Sequence, residues 1–422
     1  MDVGQAACEV AIAEDGQIRS AGQIKTSRAE LELFAQSLGP DDQVALEAGS
    51  STLAIARILK PHVARVVVAN TKKLRQISHA KAKTDTLDAR TLARLLAAGF
   101  LDEVWMPDEP TRALRRWIAR RAQLVRQRTR AKNEIHAVIA RTLSERPPAS
   151  DLFGKRGREW LSAQQLPLDE QVTVEGCLRQ IAFLDGEVAI IEGALAQYAL
   201  GSPEIRRLLT VPGVDLVVAA TFMAYVGDIA RFPSPRQLVG YFGLDPRVRQ
   251  SGAQVARHGR ISKEGASEAR HVLCEAAKVA ARTPGPMRAF AQRIRARRGT
   301  NVATIAVARK LCVLFWHLLT RGEDYAYGRP SLTAAKLRRL ELLTGAPRRR
   351  GQRGKTTRPY RLQEVRDRER ELSAQAEHAY KRLVADWQQT GSKGAGAAPG
   401  RASQGPSSGQ AARQARAPEP AL

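Results

Sequence analysis

Short apolar runs alternate with amphipathic ones through the first hundred residues. Asp2 to Ala13 reads as a strand with Cys8, Val10 and Ile12 on one face, and Ile18 to Ile24 as its hairpin return after a turn at Gly16. Arg28 to Leu38 has helical spacing and runs into Gly39-Pro40-Asp41-Asp42, a turn. Gln43 to Leu46 is a short strand ending at Glu47, and Ser51 to Leu59 is helical. Val63 to Ala69 is a continuous apolar strand that needs cover on both faces. Strands and helices in that order predict a layered α/β domain.

From Thr111 the period lengthens. Leu114, Trp117, Leu124, Ala131, Ile135 and Val138 share a heptad seam in which Arg121 and Arg128 occupy two core positions. A second seam, Val174, Cys177, Ile181, Leu184, Val188, Ile191, Leu195 and Tyr198, is apolar throughout, which is a coiled-coil signal. Arg146-Pro147-Pro148 ends the first arm. The two arms suit a helical hairpin, a contact between copies, or a buried bundle within one chain. Ser202 to Arg288 reads as short helices punctuated by Pro212-Gly213, Pro233, Pro235 and Pro246, and Asn301 to Leu319 as a longer apolar helix. Beyond Gly345 the chain is rich in Arg, Gly, Ser and Pro around one helical island, Leu362 to Trp387. Gly391 to Leu422 has almost no large apolar residues, and disorder is expected there.

Charge changes this picture. The 422 residues carry 68 Lys and Arg against 42 Asp and Glu, a formal net charge of +26, which makes a polyanion the leading partner. From Glu341 onward there are 16 basic and 8 acidic residues, so most of the excess lies earlier. Arg112, Arg115, Arg116, Arg120, Arg121, Arg126, Arg128, Arg130 and Lys132 lie in one helical run without an acid. A solvated face normally mixes signs, so this run predicts contact with phosphates. Four scattered cysteines without a Cys-x-x-Cys exclude a disulfide scaffold and a zinc ribbon. There is no charged-then-apolar leader, and Arg309, Lys310 and His317 interrupt the most apolar stretch; a soluble cytoplasmic protein without a membrane span is expected.

Two constellations could carry chemistry. Asp2 begins the first strand, Glu47 ends a later one, and Asp85 and Asp88, in Lys83-Thr84-Asp85-Thr86-Leu87-Asp88-Ala89-Arg90, share one face of a helix N-terminus. Four such carboxylates could hold two magnesium ions against a phosphate. The plainer reading is a capped surface helix and a Glu47 paired with a lysine. Ser251 stands in Arg247-Val248-Arg249-Gln250-Ser251-Gly252, followed by Arg257-His258-Gly259-Arg260-Ile261-Ser262-Lys263-Glu264-Gly265. Glycines permit close approach there, and Arg249, Arg257, Arg260 and Lys263 would stabilise charge on a phosphoryl group. A serine needs a base or metal to become a nucleophile, and the plainer reading is a turn in a basic loop. Pro212-Gly213-Val214 is similar to the hairpin of a helix-hairpin-helix, with Asp215 in place of its second glycine.

In this order and spacing, Asp2, Glu47, Lys-Thr-Asp-Thr-Leu-Asp-Ala, Gln-Ser-Gly and Gly-Arg-Ile-Ser-Lys-Glu-Gly resemble the DEDD-type insertion-sequence transposases, relatives of the Piv DNA invertases described as bridge-RNA-guided recombinases. The likeness spans about residues 1 to 325 and takes in Ala306-Val307-Ala308-Arg309-Lys310-Leu311. It implies a RuvC/RNase H-like α/β domain over 1–105, with Asp2, Glu47, Asp85 and Asp88 as a magnesium-binding tetrad. A coiled-coil connector follows over 106–201, then a mainly α transposase domain over 202–290 with Ser251 as nucleophile. A C-terminal helix occupies 291–340, and 341–422 is a basic, largely disordered tail. It also implies cutting and rejoining of donor and target DNA through a phosphoserine, guidance by a structured RNA, and dimers that pair into tetramers at the nucleoid. Three departures stand out. Met1 alone precedes Asp2, which shortens the first strand or puts the start codon upstream; Gln5 replaces a common lysine; and the tail is long. A site-specific invertase shares every residue named. A hydrolytic nuclease or junction resolvase shares the carboxylates, and a non-catalytic nucleic-acid-binding protein shares only the charge.

Overall fold

A computed structural model describes residues 1–70, 84–145, 147–252, 254–347 and 362–394. Lys83, Arg146, residues 348–361 and the end of the expected tail from 395 lie outside the described residues. The chain divides into two compact units, Met1–Asp108 and the part from Glu109 on.

The first unit is a small mixed sheet between helices. Its strands are β1 (Asp2–Val3), β2 (Ala7–Glu14), β3 (Gln17–Lys25), β4 (Gln43–Glu47) and β5 (Arg65–Ala69); its helices are α1 (Arg28–Gln36), α2 (Thr52–Leu59) and α3 (Asp85–Ala97). The strand expected over Asp2 to Ala13 is broken in two. Gly4 turns the chain so tightly that a Cβ there would lie 2.4 Å from the Ala7 carbonyl oxygen, and β1 folds back antiparallel on β2. β2 and β3 form the expected hairpin, and β4 and β5 pair in parallel. Two backbone bonds join these sheets: the Met1 ammonium donates to Ala45 O, and Glu47 N donates to Met1 O.

Period-2 alternation sorts the side chains between the two faces. Met1, Cys8, Val10, Val44, Leu46 and Val66 pack with Leu31, Ala35, Ile55 and Leu59 of α1 and α2. Ala45 and Ala69, from the opposite face, pack with Leu92 of α3. By the same alternation Asp2, Glu9 and Glu47 leave the sheet on the α3 side.

The second unit is almost wholly helical. The two heptad arms are α4 (Glu109–Arg141) and α6 (Leu168–Gly201), with α5 (Lys155–Ser162) between them. They pack on each other within one chain as an antiparallel hairpin. As the position along α4 rises through Arg121, Arg128 and Arg141, its ion-pair partner on α6 falls through Glu192, Asp185 and Glu170. Leu124 meets Leu184 and Val188, and Ala131, Ile135 and Val138 meet Val174 and Ile181. The seam continues into the main core, where Leu114, Ile118, Leu195 and Ala199 join the helices that follow.

Those helices are α7 (Pro203–Leu208), α8 (Leu216–Val226), α9 (Pro235–Tyr241), α10 (Ser267–Ala280), α11 (Pro286–Arg321) and α12 (Pro330–Leu343). α8 is apolar all round and therefore sits inside, with Phe222 edge-on to Phe315 at 4.9 Å. α11 kinks at Gly299. By length and composition alone it could cross a membrane, but Val307, Leu311, Phe315 and Leu318 are core residues. The Pro212-Gly213 turn is packed on α10: a Cβ at Gly213 would lie 2.6 Å from Ala276 O. Asp215, the departure from the hairpin motif, caps α8 by accepting from Val218 N. Part of the expected tail is helical. α13 (Gln363–Gly394) docks through Glu377, 2 % exposed, which accepts from Gly285 N, Arg288 and Lys381.

Candidate active site

Each of the two units carries residues singled out from the sequence. In the first unit, Asp2 is 8 % exposed and its carboxyl is hydrogen-bonded to that of Glu47, with the charge of Asp85 also acting on it. Burial, then that hydrogen bond and the charges of Glu47 and Asp85, push the Asp2 carboxyl up from 3.8 to about 7. The sheet face and the α3 N-terminus thus bring Glu47 and Asp85, two of the other three expected carboxylates, to bear on Asp2. Asp88 lies one turn further along α3, whose first turn is capped by the Thr84 side chain accepting from Leu87 N. Among the described residues no three acidic, histidine or cysteine side chains close around one point at ligating distance.

The set nevertheless fits a hard divalent cation. Its donors are carboxylate oxygens, and it combines two costs: the burial of Asp2, the largest cause of its raised carboxyl, and the like charges of Glu47 and Asp85 beside it. A bound cation would relieve both.

One member of this face was not singled out from the sequence. Glu9 lies directly opposite Asp2 in the β1–β2 ladder and is 7 % exposed. An acid inside a run otherwise buried on both sides, Cys8-Glu9-Val10, is the signal that could have found it.

In the second unit, β6 (Pro246–Arg249) and β7 (Arg257–Ile261) form an exposed antiparallel hairpin with Ser251 at its tip. Its base is a close crossing of backbones: at Gly243 and Gly265, both at positive φ, a Cβ would lie 2.0 Å from Glu264 O and 2.1 Å from Tyr241 O. Ser262 closes the base by donating from Oγ to Asp245 at 2.7 Å and from N to Asp245 O. Arg270 donates to the carbonyls of Phe242, Glu264 and Gly265. Among the described residues no base is hydrogen-bonded to the Ser251 side chain, and His258, the local candidate, stands opposite Val248 in the ladder.

The cations divide into two classes. The reading of nine uncompensated charges on α4 is corrected by tertiary pairing. Arg112 and Arg116 meet Glu109, Arg121 meets Glu192, Arg128 meets Asp185, and Arg120 approaches Glu187 at 3.9 Å. Arg115 donates to Ala224 O, and Lys132 lies over the Phe153 ring at 4.6 Å. Arg126 and Arg130 remain exposed, with no ion pair among the described residues. Arg249, Arg257, Arg260 and Lys263 on and beside the hairpin are likewise exposed and without an ion pair among the described residues.

This division has a measurable consequence. Arg121→Ala is expected to lower stability by about 1–2 kcal/mol, because Glu192 loses a half-buried partner, while the salt dependence of nucleic-acid binding stays unchanged. Arg249→Ala is expected to leave stability within about 0.5 kcal/mol and to lower the salt slope by about 1. Denaturant titration and binding isotherms over a salt series check both; a reduced slope in Arg121→Ala would overturn the division.

Comparison with known proteins adds a family to this geometry. A DEDD transposase model of IS110 type matches residues 1–143, and the transposase IS116/IS110/IS902 family model matches 205–292. A protein of Sinorhizobium fredii named as transposase y4qE is 29 % identical over 283 residues, covering 66 % of this chain and 70 % of that protein. The transposase for insertion sequence element IS1111A of Coxiella burnetii is 27 % identical over 252 residues, 58 % of this chain and 69 % of its own. The pilin gene-inverting protein of Moraxella bovis is 27 % identical over 131 residues, 29 % of this chain and 40 % of its own.

Proposed function

The chain belongs to the IS110/IS116 family of DEDD transposases, enzymes that cleave and rejoin DNA, and from that premise we propose that it recombines DNA through a covalent intermediate on Ser251. The observation that carries this reading is the convergence of Asp2, Glu47 and Asp85 on one sheet face, inside the part of the chain that matches the DEDD model.

Asp2, Glu47, Asp85 and Asp88 would hold magnesium, as one or two ions, which when bound supplies charge neutralisation and polarisation at a scissile phosphate. Ser251 Oγ attacks phosphorus: an Oγ–P bond forms, a P–O bond to deoxyribose breaks, and the serine proton ends on the released oxygen. A hydroxyl from another strand end reverses these steps and frees the serine. One phosphodiester is exchanged for another, so no energy-supplying cofactor is needed. Arg249, Arg257, Arg260 and Lys263 offset phosphate charge around the serine, and exposure of the tip lets a duplex approach it.

The family resemblance supports a structured guide RNA that selects donor and target DNA. It also supports dimers assembling into tetramers and action at the nucleoid; the exposed cations suit both polyanions. A site-specific inversion of DNA is the second reading, favoured by the similarity to the pilin gene-inverting protein.

The test is to purify the full chain with its bound RNA, add magnesium and end-labelled DNA bearing the element's junctions, and look for a denaturant-resistant protein–DNA adduct. An adduct at a serine is expected. Free DNA ends without an adduct would support a hydrolytic nuclease, and binding indifferent to magnesium without cleavage a non-catalytic binder.

A further inference from the structure

We infer that Glu9 is a positioning residue: through Thr86 it holds the first turn of α3, and with it Asp85 and Asp88, against the strand that carries Asp2. The inference rests on the tetrad assignment above and adds a residue to it.

Glu9 is the cross-strand neighbour of Asp2, so the two side chains leave the sheet side by side on the face covered by α3. Its Oε1 accepts from Thr86 Oγ1 at 3.1 Å and from Ser20 Oγ at 3.4 Å, and it forms no ion pair among the described residues. A buried carboxylate without a cation, set beside other carboxylates, raises the repulsion on this face. What it contributes in return is an acceptor at a fixed point. Thr86 stands between Asp85 and Asp88, within the first helical turn, and α3 packs chiefly on β2, the strand that carries Glu9. The Thr84 cap is internal to α3 and does not tie it to the sheet, whereas the Glu9–Thr86 bond does. The like charges of Asp2 on the sheet and Asp85 on the helix oppose close packing of that turn, and the Glu9–Thr86 hydrogen bond favours it. It therefore keeps the carboxylates close enough for a cation to bind without first reorganising the helix.

The experiment compares Glu9→Ala, Glu9→Gln, Thr86→Val and the Glu9→Ala/Thr86→Val double variant in the full chain. One readout is amide hydrogen exchange over Leu87–Leu92 in metal-free protein; the other is the manganese concentration giving half-maximal cleavage. Glu9→Ala and Thr86→Val are each expected to speed exchange in that turn and to raise the metal requirement about 10-fold. Glu9→Gln, which keeps an acceptor oxygen, is expected to retain protection and stay within about 3-fold of the parent. The double variant should be no worse than either single one, because both remove the same bond. Glu9→Gln as damaging as Glu9→Ala would mean the negative charge is what matters and would overturn the proposal. So would unaltered exchange in Thr86→Val. Failure of the tetrad itself is distinguishable: Asp85→Asn would then cleave normally while the exchange results stood.

Discussion

Ser251→Ala is expected to abolish strand exchange and the covalent adduct while leaving a folded protein that binds DNA and RNA as before. The separation is clean because of where the serine sits. It is exposed at the tip of the β6–β7 hairpin, outside every core cluster, so losing one oxygen removes no packing and should move stability by less than about 0.5 kcal/mol. The hairpin base is held by Gly243, Gly265, Ser262–Asp245 and Arg270, none of which the substitution touches. A reaction that runs through the serine oxygen has no substitute nucleophile, and a rate loss of at least about 10,000-fold is expected. Denaturing gels of labelled DNA check the adduct, thermal melting checks the fold, and filter binding checks affinity. An adduct that persists in Ser251→Ala would end the assignment.

Asp2→Asn is expected to act in opposite directions on activity and on stability. Activity should fall by about 1,000-fold or more, because the amide oxygen keeps the shape of the donor set and loses its charge. Stability follows from the raised Asp2 carboxyl, near 7 in the folded chain against an ordinary 3.8. The folded state holds this proton more tightly than the unfolded one. The resulting stabilisation is full below about pH 4 and is lost as pH rises through about 7. In metal-free protein, Asp2→Asn should therefore melt a few degrees above the parent at pH 8 and show no such advantage at pH 4. Added magnesium should raise the parent's melting temperature at pH 8 and do little for the variant. Melting curves in chelator and in magnesium at the two pH values decide it. An identical pH profile for parent and variant would show that Asp2 does not share a proton within this cluster.

Legibility in the sequence followed the range of the interaction. The β2–β3 hairpin, the buried β5, both heptad arms, the apolar helix now seen as α11 and the helical island that is α13 could all be read from periodicity and turn chemistry. Each depends on neighbours a few residues apart. The break at Gly4 was missed because the alternation of Cys8, Val10 and Ile12 was extended back to Asp2, and only the approach of Ala7 O shows that the chain turns there. The charge on α4 was misjudged for the opposite reason. Arg121 and Arg128 look like faults in a seam until Glu192 and Asp185 arrive from the antiparallel helix. Glu9 escaped attention because strand alternation put it on the face that carried no apolar signal, and its partner Thr86 is 77 residues away.

By itself the sequence determined the layered α/β beginning, the helical remainder, the basic excess and the residue types from which a carboxylate site and a serine hairpin could be made. Local periodicity, capping and composition suffice for those, since they act within a turn or a strand. Only the tertiary structure decided that Asp2, Glu9 and Glu47 face α3, that Asp2 and Glu47 share a hydrogen bond, and which cations of α4 form ion pairs with α6. These depend on which face of a sheet a helix covers and on the register of two helices. Both are set by burial of the whole core rather than by any short stretch of chain.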